Sequence, residues 1–326
     1  MLNVGVIGVG MMGQNHARVY SEIANLVGVA DSDEESLNLI SKRFNVKGYV
    51  NYQDLLEIED LDAVSICSPT STHFEMASAA IAANKHVLVE KPMCGEIKKA
   101  KEIVAKAKKN EVVLAIGFIE RHNPVVGLTK GLIEKKQFGD IISVSSRRVS
   151  SFPSRIKDVG VIMDLGIHDI DVIRYLLDSK VKSVYSLAGN TGEKEFEDHA
   201  NILLEFENKI FATIEVNWLT PMKVRNVSLT CSRNFVEMDY MSQSLTISSS
   251  TIKKLDYGNL FRIPQEYEER KIEVEKKEPL RNELMDFLSA IEHGTRPLIS
   301  GEEGLRTLEI AHAAMKSAEK GEKIQI

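Results

Sequence analysis

The sequence contains little cysteine. Its 326 residues include only Cys67, Cys94 and Cys231, which lie far apart. A disulfide framework or a structural zinc site needs cysteines in pairs or at short ligand spacings. We therefore expect neither disulfides nor a bound metal, and this cysteine usage fits a reducing cytoplasm.

Long hydrophobic runs and an excess of positive charge are also missing. No stretch approaches the roughly 18 consecutive apolar residues of a membrane span, and residues 1–7 lack the basic start of a signal peptide. Lysine and arginine number 41 against 47 acidic residues, a net charge of -6 at pH 7. Nucleic-acid binding depends on positive charge that neutralises phosphates. We expect a globular cytoplasmic protein that binds neither membranes nor nucleic acid.

The first third of the chain alternates short β-branched runs with longer helical patterns. Predicted strands lie at residues 4–7, 26–30, 63–67, 86–89 and 112–116, and predicted helices lie at residues 13–22, 33–44, 72–83 and 96–109. The strands are continuously apolar, which is typical of a parallel sheet covered by helices on both faces. The pattern predicts an α/β fold, with an N-terminal Rossmann domain of doubly wound parallel sheet over residues 1–118.

Beyond residue 118, strands separated by polar turns predominate. Predicted strands lie at residues 141–149, 181–188, 201–207, 210–216, 227–231 and 235–238, and predicted helices lie at residues 161–177, 279–292 and 301–320. The close spacing of the strands predicts an antiparallel meander. We expect a C-terminal α+β domain over residues 119–326, built on an open, mainly antiparallel sheet. Its last helices are candidates to pack back on the Rossmann domain.

The segment between the first strand and the first helix matches the pattern G-x-G-x-x-G. Gly8 allows a tight turn, Gly10 admits a pyrophosphate, and Gly13 lets helix and strand pack closely. Backbone N–H groups at the start of the helix, at Met11 and Met12, are expected to face the phosphates. Because it follows a strand and opens a helix, the pattern predicts a dinucleotide site.

An acidic residue ends the second predicted strand, where a Rossmann site bonds the adenosine ribose. This residue is Asp31, and Ser32 and Asp33 follow it. The carboxylate accepts hydrogen bonds from ribose hydroxyls and repels a 2'-phosphate, and its neighbours supply no arginine to bind one. The pattern favours NAD as the cofactor. In the alternative interpretation Asp31 only caps the second helix.

Two further motifs complete a set. Glu90, Lys91 and Pro92 follow a predicted strand, and Asp164 and His168 stand four residues apart at the start of a predicted helix. In order and separation, these motifs and the glycine pattern resemble the glucose-fructose oxidoreductase, inositol dehydrogenase and rhizopine-catabolism family, called Gfo/Idh/MocA. The resemblance covers essentially the whole chain. It implies NAD-dependent oxidation of a hydroxyl on a sugar-like substrate.

The resemblance also implies that Lys91, Asp164 and His168 form the catalytic set. Oxidation of an alcohol needs a proton acceptor, and a histidine such as His168 is a natural general base. Asp164 lies on the same helical face and either orients His168 or bonds the substrate. Lys91, at the carboxyl end of a strand, is expected to reach the substrate and the cofactor, beside Glu90. For each residue alone the alternatives are a solvated lysine, a helix cap and a packed histidine.

The loop after the third predicted strand resembles the cofactor-facing loop of the same family. It contains Ser68, Pro69 and Thr70, and His73 follows on the next helix. The resemblance implies that these four residues approach the ribose and the nicotinamide. The resemblance further implies that the chain forms a homodimer or homotetramer through the open face of its C-terminal sheet.

Residues 117–124, Arg147, Arg148 and residues 155–164 resemble the branch of the family that oxidises the 3-hydroxyl of UDP-N-acetylglucosamine or its uronic acid. Arginines concentrated before the catalytic helix suit a diphosphate, which accepts bidentate guanidinium bonds. Neighbouring strand residues point to opposite faces, so Arg147 and Arg148 cannot both line one pocket. Arg155, in a loop, is the better diphosphate candidate.

The remaining substrate candidates are open to two interpretations. Glu120 and Asn123 either bond sugar hydroxyls and the acetamido group or form a structural turn between domains. The expected substrate-binding residues are therefore Glu120, Asn123, Arg148, Arg155, Asp164 and His168. An inositol or simple-sugar dehydrogenase of the same family and a non-catalytic NAD-sensing regulator remain as alternative functions.

Overall fold

The computed structural model describes residues 1–152, 159–192, 196–252 and 265–326. The chain divides into two compact units, one of Met1–His122 with Glu278–Glu309 and the other of Asn123–Lys277 with Ile310–Ile326. Within the described residues, no helix has both the length and the apolar character that crossing a membrane requires. The second unit begins where the strand-rich part of the sequence begins.

The helices are regular in most of the described chain. They are α1 (Met11–Ile23), α2 (Glu34–Phe44), α3 (Tyr52–Leu56), α4 (Thr70–Ala82), α5 (Ile97–Lys109), α6 (Pro124–Glu134), α7 (Ile167–Leu177), α8 (Pro279–His293) and α9 (Gly301–Lys320). Local sequence explains their ends. Asp33 caps α2 by accepting hydrogen bonds from two backbone N–H groups, and Asn45 ends it in the left-handed conformation. A 3-10 turn, Ile119–His122, precedes α6.

The first unit is built on a six-stranded parallel sheet. Its strands are β1 (Asn3–Ile7), β2 (Asn25–Ala30), β3 (Lys47–Tyr49), β4 (Ala63–Ile66), β5 (His86–Glu90) and β6 (Leu114–Gly117), in the order β3-β2-β1-β4-β5-β6. The order reverses between β1 and β4, which is the doubly wound arrangement that binds dinucleotides at the switch point. The Rossmann fold predicted from the sequence is confirmed.

Helix α8 contributes to the hydrophobic core of this first unit. Leu280, Leu284 and Phe287 are almost fully buried in the cluster that also contains Val4 and Tyr20. Burying a side chain of this size stabilises a fold by about 1.5–3 kcal/mol. A helix from the far end of the sequence therefore completes the core under β1 and α1.

The second unit is built on a nine-stranded sheet. Its strands are β7 (Ile141–Ser151), β8 (Val181–Gly189), β9 (His199–Phe206), β10 (Phe211–Asn217), β11 (Leu219–Cys231), β12 (Phe235–Asp239), β13 (Ser244–Ile252), β14 (Gln265–Glu273) and β15 (Ile324–Gln325). Their order is β14-β13-β12-β11-β7-β10-β9-β8-β15. The open, mainly antiparallel sheet predicted from the sequence is confirmed, with α6 and α7 in contact with it.

One part of the topology prediction is wrong. The strands do not form a simple antiparallel meander, because β10 runs parallel to β7. Parallel neighbours need a long crossover connection, and here that connection contains α7, β8 and β9. Short spacing between strands along the sequence predicts hairpins. It cannot predict a crossover that places β10 beside β7.

Candidate functional site

The glycine loop of the first unit has the shape that a pyrophosphate needs. Gly8 has φ +84, and a Cβ on it would lie 2.6 Å from a backbone nitrogen of the segment after β4. A Cβ on Gly13 would lie 1.8 Å from the Gly8 carbonyl oxygen, whereas a Cβ on Gly10 would meet no described atom within 4 Å. Two glycines are thus required by packing, and the middle one leaves room before Met11 and Met12, where α1 begins.

Asp31 links the end of β2 to the glycine loop. One carboxylate oxygen accepts the Val9 backbone N–H at 2.7 Å and the other accepts that of Asp33 at 2.9 Å. Asp33, and not Asp31, is the residue that caps α2. The carboxylate is partly exposed beside the exposed Ser32. The geometry places it where a Rossmann domain bonds the adenosine ribose.

Four more of the predicted cofactor residues lie in the loop after β4 and in the first turn of α4. Ser68 and Thr70 are partly buried, and Pro69 is exposed at the N-cap of α4. The Thr72 hydroxyl donates to the Ser68 hydroxyl at 2.8 Å. His73 is buried, and its Nε2 lies 2.8 Å from the Ser68 carbonyl oxygen. His73, on α4, thus contacts the backbone of this loop.

Glu90, Lys91 and Pro92 form a turn at the carboxyl end of β5, and the Lys91–Pro92 peptide bond is cis. The Glu90 carboxylate accepts a hydrogen bond from Nε2 of the buried His16, on α1, at 3.0 Å and one from the Lys91 backbone N–H at 3.3 Å. A Cβ on Gly117 would lie 2.9 Å from the Glu90 carboxyl carbon, so this side chain occupies a fitted space. Lys91 itself is partly exposed.

One cluster of possible metal ligands exists among the described residues. His16, Glu90 and Glu283 each offer a ligand atom within 4.8 Å of the other two. The His16 ring nitrogen facing Glu90 is at hydrogen-bond distance from it. Glu90 directly precedes Lys91, and Glu283 belongs to α8.

In the second unit, Asp164 and His168 begin the helical segment in contact with the sheet. The segment opens with a π-helical turn, Ile162–Gly166, before α7 begins. Single π turns inside helices are frequent at functional sites. Asp164 is 4% exposed and His168 is partly exposed. The structure brings both predicted catalytic residues of this unit to one short segment.

A residue that the sequence analysis missed holds the start of this segment. Glu197 accepts the Ile162 backbone N–H at 3.1 Å, and its own carbonyl oxygen accepts that of Val161 at 3.0 Å. Burial raises the pKa of the Glu197 carboxyl above its ordinary value, although the hydrogen bond from Ile162 opposes this. Glu197 belongs to no recognisable motif, so no sequence signal pointed to it.

Arg148 has its partner inside the protein. Arg148 is 1% exposed, and its guanidinium forms two hydrogen bonds with Asp169, at 2.6 and 3.4 Å, and stacks on the Tyr240 ring. Arg147, on the opposite face of β7, is half-exposed and pairs with Glu215 at 3.0 Å. The alternation predicted for these two arginines is confirmed. Arg148, in β7, thus binds α7 to the sheet through Asp169, the residue that follows His168.

The remaining predicted substrate residues differ in what the structure shows. Asn123 is 3% exposed, caps α6 by accepting the Val125 N–H at 3.3 Å, and donates to the Tyr240 carbonyl at 3.0 Å. These contacts are those of a structural turn. Glu120 is 6% exposed in the preceding 3-10 turn. Arg155 lies outside the described residues.

Two family models match most of the chain. Residues 2–118 match the model described as an oxidoreductase family with an NAD-binding Rossmann fold. Residues 128–237 match the model described as the GFO/IDH/MocA C-terminal domain. The two matches fall in the two units in the order that the motifs predicted.

Characterised relatives resemble the chain over nearly its whole length. The UDP-N-acetylglucosamine 3-dehydrogenase of Acidithiobacillus ferrooxidans is 29% identical over 95% of this chain and 95% of its own. The myo-inositol 2-dehydrogenase of Thermotoga maritima is 26% identical over 100% of this chain and 98% of its own. A solved structure of the Acidithiobacillus enzyme superposes with a TM-score of 0.87 at 28% identity, covering 98% of each chain.

Proposed function

Because the chain belongs to the Gfo/Idh/MocA oxidoreductase family, we propose that it uses NAD to oxidise the 3-hydroxyl of a UDP-sugar, UDP-N-acetylglucosamine in the first place. Membership makes it a dehydrogenase of CH–OH groups with an NAD-binding Rossmann domain. The observation that carries the finer proposal is the likeness to a UDP-N-acetylglucosamine 3-dehydrogenase in both sequence and structure over nearly the whole chain.

The proposed chemistry gives a role to each of the three catalytic residues. Bound NAD supplies the acceptor for the hydride that leaves the sugar carbon. His168 takes the hydroxyl proton as general base, and Asp164, four residues earlier, orients His168 or bonds the sugar. Lys91, on the turn after β5, directs its ammonium at the substrate oxygen and stabilises negative charge that develops there.

The diphosphate contact is proposed for Arg155. Arg148 is paired with the buried Asp169, and Arg147 is paired with Glu215. The charge argument for a nucleotide sugar therefore depends on Arg155, whose guanidinium matches a phosphate bidentately. Glu120 stays a proposed sugar ligand.

A second candidate function is oxidation of an inositol. The likeness to a myo-inositol 2-dehydrogenase over the full chain favours it. Such a substrate has no diphosphate and needs no arginine near the catalytic segment. The two candidates share the fold and the catalytic residues and differ only in what holds the substrate.

The experiment that tests the proposal measures NADH formation by absorbance. Purified protein and NAD are mixed separately with UDP-N-acetylglucosamine, its uronic acid, myo-inositol and glucose, and we expect only the UDP-sugars to react. Lys91→Ala should abolish turnover and retain NADH binding, while Lys98→Ala, on the exposed start of α5, serves as the matched control. Reaction with myo-inositol alone would assign the chain to the second candidate. NADH binding without any turnover would instead indicate a sensor.

We propose three further properties of the working protein. Residues 1–118 form the NAD-binding domain and residues 119–326 the substrate-binding and oligomerisation domain, with residues 278–309 completing the first unit. The protein is a homodimer or homotetramer of the cytoplasm. The open face of the nine-stranded sheet supports self-association, because it exposes large apolar side chains: Tyr185, Leu187, Leu203, Phe211 and Phe235.

A further inference from the structure

We infer that His16 and His73 are positioning residues that hold the Lys91 turn from two sides. The inference deepens the proposed function, since it rests on Lys91 acting on the substrate. Both histidines are buried, at 0% and 1% exposure, and both stand within the first unit. Neither needs to touch the substrate for this role, because each acts through an atom of the turn itself.

His16 holds the residue before Lys91, Glu90. It projects from α1, the helix that begins at the glycine loop, and its Nε2 donates to the Glu90 carboxylate at 3.0 Å. The other carboxylate oxygen accepts the Lys91 backbone N–H. The absence of a side chain at Gly117, in β6, leaves the space that the Glu90 carboxylate fills. A hydrogen bond from His16 therefore fixes the residue directly before Lys91.

His73 holds the residue after Lys91, Pro92. It projects from α4, and its Nδ1 lies 2.9 Å from the Pro92 carbonyl oxygen. Its Nε2 faces the Ser68 carbonyl oxygen in the cofactor loop. Carbonyl oxygens only accept, so the His73 ring nitrogen that carries the proton is the donor in its contact. One ring thus ties the residue after Lys91 to the loop after β4.

The two histidines use opposite ring nitrogens on the Lys91 turn, which allows a crossed substitution. The amide of an asparagine reaches the place of Nδ1, and the amide of a glutamine reaches the place of Nε2. At position 16 the glutamine variant keeps the bond to Glu90 and the asparagine variant loses it. At position 73 the asparagine variant keeps the bond to Pro92, and the glutamine variant keeps only the bond to Ser68.

The experiment compares His16→Gln with His16→Asn and His73→Asn with His73→Gln. Hydrogen–deuterium exchange of the peptide covering residues 88–96, measured by mass spectrometry without cofactor, reads the turn directly. We expect this peptide to exchange faster in H16N than in H16Q, and faster in H73Q than in H73N. With substrate, kcat of H16Q should exceed that of H16N, and kcat of H73N should exceed that of H73Q, each by about three- to tenfold, the effect of one hydrogen bond.

NADH affinity gives an independent readout at position 73. H73Q keeps the Ser68 contact, so it should bind NADH more tightly than H73N while it turns over more slowly. A residue that only fills space would give the same ranking of asparagine and glutamine at both positions, and that result would overturn the inference. Equal exchange in all four variants would overturn it too.

Failure of this inference and failure of the proposed function give different experimental results. Failure of every UDP-sugar to react refutes the substrate assignment and leaves the exchange and affinity rankings measurable. Where a histidine variant does not fold, Glu90→Gln, which retains an oxygen acceptor for His16, is compared with Glu90→Ala. Exchange in residues 88–96 should then be faster in E90A, and equal exchange would contradict the role given to His16.

Discussion

We propose that Asp31 sets the preference for NAD over NADP. Its carboxylate is fixed by the Val9 and Asp33 N–H groups, and a 2'-phosphate at this place would meet its negative charge. In the double variant Asp31→Ser, Ser32→Arg, the kcat/KM ratio for NADP over NAD should rise by at least about tenfold. This is the size of one added bond to a charged group, ~1.5 kcal/mol.

The matched control for Asp31 is Asp33→Ser. It removes the same charge two residues away, at the N-cap of α2, where serine also caps well. Steady-state kinetics with both cofactors should show an unchanged NADP over NAD ratio. A shift in this control as large as in the double variant would show that net charge, and not Asp31, sets the preference.

His122 gives the first unit a pH-dependent stability. Burial, and then the nearby Arg121 charge, lowers the pKa of His122 from 6.5 to about 4. Between these values the unfolded chain binds a proton that the folded protein does not. The free energy of unfolding is therefore at its full value, as far as His122 affects it, above pH 6.5. It falls by up to about 3 kcal/mol as the pH is lowered towards 4.

Urea unfolding at a series of pH values tests this contribution. His122→Asn should remove part of the fall in unfolding free energy between pH 7 and pH 4.5 that the unsubstituted protein shows. His293→Asn, at an exposed position near the end of α8, should leave the fall in place. Identical pH dependence of the three proteins would refute the role of His122.

Motif residues were predictable because each combines a fixed spacing with a fixed place in the fold. Gly8, Asp31 and Lys91 all lie at carboxyl ends of parallel strands, which meet at one edge of the sheet. Glu197 and His16 were not predicted to hold these segments. Their roles depend on contacts between residues far apart in sequence, and a single sequence contains no sign of such contacts.

At the scale of elements, a buried ion pair joins α7 to β7. Arg148 and Asp169 are both fully buried, so removing one partner leaves an uncompensated charge. Arg148→Met should lower the unfolding free energy by about 3–5 kcal/mol, measured by urea titration. Arg147→Met, next on the same strand but half-exposed, should change it by less than about 0.5 kcal/mol. Equal losses in the two variants would contradict this account of α7.

Elements with a strong apolar pattern were predicted well, whereas the short elements and the polar strands β13 and β14, of 9 residues each, were not predicted. The continuous apolar strands of the first sheet and the helices α8 and α9 stand where hydrophobic periodicity placed them. β3 and β15 are short, with 3 and 2 residues, and offer no period to detect. The π-helical turn before α7 also escaped prediction, because apolar spacing cannot distinguish one wider turn from an α-helical one.

At the scale of the whole molecule, the motifs identified the family, and the family models confirm it. Residues 278–309 follow β14, a strand of the second sheet, and belong to the first unit. Their amphipathic pattern predicts helices that need a partner surface, and the Rossmann domain was the candidate surface. Which residues of the first unit they contact depends on the fold.

Self-association is the prediction that belongs to this scale. Leu203 and Phe211 are 42% and 48% exposed on the open face of the sheet. Leu203→Glu with Phe211→Asp should convert a dimer or tetramer into monomers, since charge on this face opposes burial. Light scattering after gel filtration measures the mass. Leu39→Glu, an exposed leucine of α2 in the first unit, is the control, and an equal effect there would refute the proposed interface.

The most direct test of the central claim follows the hydrogen that leaves the sugar. The protein is incubated with NAD and UDP-N-acetylglucosamine deuterated at carbon 3, and the reduced cofactor is analysed by mass spectrometry, with the carbon 4 isotopologue as control. We predict that deuterium enters NADH from carbon 3 and not from carbon 4. Unlabelled NADH from the carbon 3 substrate, or no NADH while myo-inositol reacts, would contradict oxidation of the 3-hydroxyl.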